Sequence, residues 1–107
     1  MNIFFGSIFI KKEQLEEAGI HYPIKLEYYK VINEDEFMKK NKEKYGIGIV
    51  KTEYLNNNTR VENKFIKYLS SSETKINDIL TIFKENEVTP IAAEDVICDF
   101  SKKSISL

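Results

Sequence analysis

Two spacings of apolar residues divide this chain. From Ser70 to Phe100 the spacing is helical: Ile76, Ile79, Leu80 and Phe83 stand at i, i+3, i+4 and i+7, and Ala93, Val96, Ile97 and Phe100 repeat the figure. Lys75, Asp78, Lys84 and Glu85 fall off the first stripe, as a solvated helix side requires. Ser71 and Ser72 are suitable N-caps, because a serine hydroxyl accepts from the free N–H groups of a first turn. Glu73 then sets negative charge at the positive end of the helix dipole. Thr89-Pro90 is expected to end the first helix and open the second, since proline drives its predecessor out of the helical region yet fits a first helical turn. Two amphipathic helices are predicted.

Before Ser70 the pattern is that of strands. Residues 2–10, rich in Ile and Phe, read as a short strand, and Lys11 to Ala18 as a polar helical turn or two closed by Gly19. His21-Tyr22-Pro23 breaks the chain; Ile24 to Tyr28 then alternate apolar and polar. The alternation slips at Tyr28-Tyr29, which predicts a bulge there. Tyr45 to Tyr54 is the clearest strand, with Tyr45, Ile47 and Ile49 on one side and Gly46 and Gly48 on the other. Two glycines on one side make a flat strip that another backbone or a helix can approach closely. Asn56-Asn57-Asn58 supplies a turn, and Val61 to Leu69 completes a hairpin with apolar residues at both phases. Strands first and helices after predict an α+β fold: a small antiparallel sheet of three to four strands, covered on one face by two C-terminal helices. A chain of 107 residues suits a single domain over its whole length.

The run Val88-Thr89-Pro90-Ile91, followed by Asp95-Val96-Ile97 and Asp99-Phe100, resembles the C-terminal signature of a small uncharacterised clostridial protein family. Tyr45-Gly46-Ile47 through Ile49-Val50-Lys51 extends the likeness, which spans roughly residues 25–100. That family carries a domain of unknown function. The resemblance implies a fold and a bacterial source and supplies no catalytic or binding residue; residues 1–23 stand outside it as an N-terminal extension.

Charge narrows the partners. Sixteen basic residues against seventeen acidic ones leave a formal net charge of −1, which argues against a broad footprint on nucleic acid or a membrane. Only Arg60 among the bases is an arginine, the preferred clamp for phosphate. The apolar opening MNIFFGSIFI lacks a basic lead and is too short to span a bilayer, so it reads as a buried strand or helix rather than an export signal. A lone cysteine, Cys98, excludes an intramolecular disulfide and a multi-cysteine zinc site, and suits a reducing cytoplasm.

No pattern points to catalysis, a cofactor or a metal. His21 is the sole histidine and has no carboxylate pair at ligand spacing. Cys98 sits among Glu94, Asp95 and Asp99, and anionic neighbours disfavour the reactive thiolate. Glu94 and Asp95 serve the first turn of the second helix, and Ser70-Ser71-Ser72 serves capping. No glycine lies in a phosphate-binding loop. The expected function is therefore a non-catalytic protein-interaction or regulatory module, with an unidentified protein or a second copy as partner. Its candidate interface is Phe37 and Met38, apolar residues in the charged connection Asn33 to Lys44, together with Ile82. The alternative is weak binding of single-stranded nucleic acid through an aromatic and lysine sheet face carrying Tyr29, Lys64 and Tyr68.

Overall fold

Alternation of side chains, period two along each strand, places Ile24, Leu26 and Tyr28 on the same side as Ile47 and Ile49, and all five are buried. They belong to a computed structural model that describes residues 1–34 and 43–105. The strands are β1 (Asn2–Ile10), β2 (Ile24–Ile32), β3 (Tyr45–Tyr54) and β4 (Thr59–Ser70). Between β1 and β2 lie a short helix α1 (Lys12–Leu15) and a 3-10 turn (Glu16–Ala18), closed by Gly19 at φ 78°. Two longer helices follow the sheet: α2 (Glu73–Glu85) and α3 (Ala93–Ile105). The fold is α+β, a four-stranded antiparallel meander in the order β1-β2-β3-β4 with α2 and α3 packed against one face.

Each end of α2 is closed by its own residues. The Ser72 hydroxyl accepts from the Lys75 N–H, satisfying one free donor of the first turn. At the other end the chain reverses before the proline. The Val88 N–H donates to the Phe83 carbonyl and the Glu87 N–H to the Lys84 carbonyl, with Glu87 in the left-handed region at φ 51°. Thr89-Pro90 thus does not end α2. Pro90 instead opens a 3-10 turn (Pro90–Ala92) that runs into α3.

The core lies between the sheet and α2. Ile76, Ile79, Leu80 and Phe83, the stripe read from spacing, are all buried, against Leu26, Tyr28, Ile47 and Ile49. Tyr28 joins the layers with a hydrogen bond, its hydroxyl donating to the Val88 carbonyl at 2.9 Å. Burial pushes that hydroxyl's pKa well above the usual tyrosine value.

The bulge expected at Tyr28-Tyr29 is displaced by one strand. β2 pairs with β3 without interruption there, and the extra residue sits opposite, in β1 between Phe4 and Gly6. A second irregularity lies between Tyr45 and Ile47 of β3, facing the end of β4. The two edges of the sheet differ in kind: β1 has no charged residue from Asn2 to Ile10, whereas β4 carries Arg60, Glu62, Lys64 and Lys67.

Candidate functional site

The same alternation that buries one side of the sheet fixes the composition of the other. Following the registers from Phe4 to Tyr29, Gly48 and Phe65 crosses all four strands on the face opposite the helices. Phe9, Lys25, Thr52 and Val61 form a second such row, and Glu27 lies between the two. No helix among the described residues covers this face. Phe4, Phe9, Tyr54, Val61 and Phe65 are each between 36% and 56% exposed, and together they make the face apolar.

These side chains are organised. The rings of Phe4 and Tyr29 meet edge to face at 5.7 Å between centroids, and those of Tyr29 and Phe65 lie 6.3 Å apart. Phe65 reaches Tyr29 across an intervening strand because Gly48 stands between them; a Cβ on Gly48 would overlap the Phe65 ring. At Gly46 the neighbour is backbone, since a Cβ there would overlap the Ile66 and Lys67 carbonyls. The flat strip expected from two glycines is thus filled by β4 itself, by a ring at one position and by main chain at the other. At the far end of the face, Phe9 and Tyr54 form another aromatic pair at 6.2 Å.

Polar groups on this face are few and occupied. Lys25 and Glu27 form a 3.9 Å ion pair, and the Tyr29 hydroxyl donates to Glu27 at 3.1 Å. Within the two rows and the residues between them, Lys25 and Glu27 carry the charge, and their charges cancel.

The residues singled out from sequence scatter. Phe37 and Met38 lie outside the described residues, and Ile82 is half-buried on α2. Tyr29 is on the open face. Lys64 points the other way, pairing at 2.7 Å with Glu94 of α3 and holding that carboxyl below its usual pKa. Lys30 likewise turns toward α2, where it meets Glu73 at 3.3 Å and Asn77 at 3.4 Å. Tyr68 sits beside the β4 irregularity with the Lys67 ammonium 5.4 Å from its ring centre. Tyr29, Lys64 and Tyr68 are therefore not brought together as one surface. The residues that do assemble, Phe4, Phe9, Tyr54, Val61 and Phe65, had one signal in the sequence: β1 and β4 are apolar at both phases, and a helix layer covers only one.

The other places that gather polar groups or enclose space are structural. Glu53, 2% exposed, takes two hydrogen bonds from Arg60 at 2.8 and 3.0 Å and a third from the Tyr22 hydroxyl at 2.5 Å. The Arg60 guanidinium, more than the opposing cost of burial, brings the Glu53 carboxyl down to about 2. A carboxylate so held keeps its charge and has no proton to give at neutral pH. A groove of about 250 Å³ between α2, α3 and the end of β4 is lined by Leu69, Ile79, Ile97 and Phe100, with Lys75 as its single charged residue. Among the described residues, no cluster of His, Cys, Asp and Glu has the makings of a metal site, and no helix is long and apolar enough to cross a membrane.

A model of a family of unknown function, DUF6514, matches residues 7–103. It takes in the end of β1, from residue 7, and so begins well before the stretch that the C-terminal motifs suggested. No curated protein and no solved structure matches the chain.

Proposed function

The chain belongs to this family of unknown function, and from that premise we propose that it is a non-catalytic protein-interaction module whose docking surface is the open face of the sheet. The row Phe4, Tyr29 and Phe65, with both phenylalanines exposed on a strand layer that has no second cover among the described residues, carries this reading. Contiguous apolar patches beyond a few hundred Å² are rare on proteins that work alone, and they mark interaction surfaces. The occupant is a protein with a flat, apolar and nearly uncharged surface, since Lys25 and Glu27 already neutralise each other. The reading moves the interface from Phe37, Met38 and Ile82 to the sheet. A cytoplasmic setting in a clostridial cell accords with the single exposed thiol of Cys98 and with the motifs near the C-terminus.

Capture of partners from the native host tests it. The wild-type chain is compared with Phe65→Asp and Phe9→Asp on the face, and with Ile91→Asp as a control, because Ile91 is 89% exposed yet lies away from it. A partner lost with the first two variants and kept by the third supports the assignment. A partner retained by all three removes the sheet face from the argument.

Stacked aromatics on a sheet also suit unpaired bases, at about 1–3 kcal/mol per stacked base. The lysines are wrongly placed for this, because Lys30 and Lys64 are paired on the opposite face. Binding of a labelled single-stranded oligonucleotide that weakens steeply with salt and falls on Phe65→Ala would reverse the preference.

A further inference from the structure

We infer that the occupant of the open face is a second copy of this chain, packed sheet to sheet about a two-fold axis. This rests on the reading above that the face is a docking surface, and adds what docks. Two sheets in face-to-face contact sit about 10 Å apart with their strands nearly aligned. For two identical sheets the symmetry axis must lie in the interface. An axis across the strands, at the level of Leu26, leaves each strand facing its own counterpart run in reverse.

The open face is patterned for that operation. Lys25 and Glu27 flank Leu26 on β2, so reversal sets Lys25 of each copy against Glu27 of the other, and both pairs are of opposite sign. The aromatic groups also exchange ends. Phe4, Tyr29 and Phe65 lie toward one end of the face, and Phe9, Tyr54 and Val61 toward the other. The row of Phe4, Tyr29 and Phe65 then meets the level of Tyr54 and Thr59 of the mate, while Phe9 and Val61, nearer the axis, meet its Ser7 and Asn63. An axis along β2 would instead set Lys25 against Lys25, a like-charge contact, and one along the middle of the sheet would set Lys25 against Thr52 and Glu27 against Val50, leaving both charges without a partner across the interface.

Area and charge permit the assembly. With whole aromatic side chains at about 150–250 Å², the exposed parts of Phe4, Phe9, Tyr54, Val61 and Phe65 supply roughly 500 Å² per copy. A standard interface takes about 800 Å² per partner, and Tyr29, Val50, Thr52 and Asn63 of the same face furnish the remainder. A formal charge of −1 raises almost no repulsion between copies.

Sedimentation of the full chain over a wide range of concentration is the test. The expected species has twice the chain mass, and Phe65→Asp and Phe9→Asp, with unchanged circular dichroism, reduce it to the monomer. Lys25→Glu and Glu27→Lys alone each weaken association at least about tenfold, because like charges then face across the axis. Mixing these two variants restores a dimer, since each supplies the sign that the other lacks. A wild-type chain that stays monomeric overturns the inference, and partner capture by Phe65→Asp then decides separately whether the docking reading stands. A dimer that persists in Phe65→Asp and Phe9→Asp, or charge variants that fail to complement on mixing, also overturns it.

Discussion

The two faces of this sheet are cut from the same strands, one residue out of phase, and they are finished in different ways. On the covered face Leu26, Tyr28, Ile47 and Ile49 are closed over by α2, and even the Tyr28 hydroxyl has a partner in the Val88 carbonyl. On the open face side chains of comparable size meet one another at their edges and then stop at solvent. The covered face accounts for the fold. The open face has the composition of a core with half its contacts absent.

The widest separation between the faces should appear in stability. Phe83→Ala removes a fully buried ring and is expected to cost about 3–5 kcal/mol in chemical denaturation. Phe65→Ala in dilute solution should cost no more than about 1.5 kcal/mol, the scale of its ring contact with Tyr29. Equal losses at the two positions would break the comparison, because the open face would then be core.

The two glycines sharpen it on a single strand. Gly46→Ala drives a methyl into the Ile66 carbonyl, which the β4 backbone must move to relieve, at about 1–3 kcal/mol. Gly48→Ala displaces only the Phe65 ring and should cost less. In the Phe65→Ala background the Gly48→Ala penalty should nearly vanish, and additive effects in that double-mutant cycle would contradict the ring placement.

Glu53 probes the rim of the covered side. Its carboxyl is lowered from 4.5 to about 2, so its stabilisation is complete above pH 4.5 and is lost as pH falls from there toward 2. Glu53→Gln should cost about 1–3 kcal/mol at neutral pH and flatten the acid side of the stability profile over that interval. An unchanged profile would mean that Arg60 and Tyr22 do not hold the charge in solution.

The smallest effect expected is a gain. Glu87 holds a left-handed conformation at the end of α2, which glycine adopts without strain. Glu87→Gly should raise stability by about 0.5–1 kcal/mol, net of glycine's greater freedom in the unfolded chain. A loss would show that the Glu87 side chain contributes more than its backbone costs.

The helices were legible because their stripes are long and their off-stripe residues charged: every member of Ile76, Ile79, Leu80 and Phe83 is buried, and Ser72 caps as its chemistry predicts. The strand assignments were legible for the same reason in β2 and β3. The bulge was misplaced because a slip in one strand's phase can be absorbed by either partner, and the spacing in β2 carries no information about β1. The end of α2 was missed because Asn86-Glu87 reverses the chain without a glycine to announce it. The open apolar face was missed for a deeper reason. Which phase of an all-apolar strand faces the helices is set by register between strands far apart in sequence, and Lys64 and Tyr29 could be assigned to one face only while that register was unknown.

The uncharged edge β1 carries a further consequence, for the birth of the molecule rather than its mature form. Nine residues without a charge or a proline, at the rim of a sheet, offer free main-chain groups to any extended neighbour, whereas β4 is guarded by four ionised side chains. During synthesis β1 leaves the ribosome before β2 and is adhesive until something pairs with it. In a meander its mate is the next strand made, so one flank is closed early and by local contacts that form fast. The other flank has no strand beside it among the described residues. Crowding, slow translation through β2 or mutations that weaken β2 should therefore be felt first as clumping, before any loss of the finished fold.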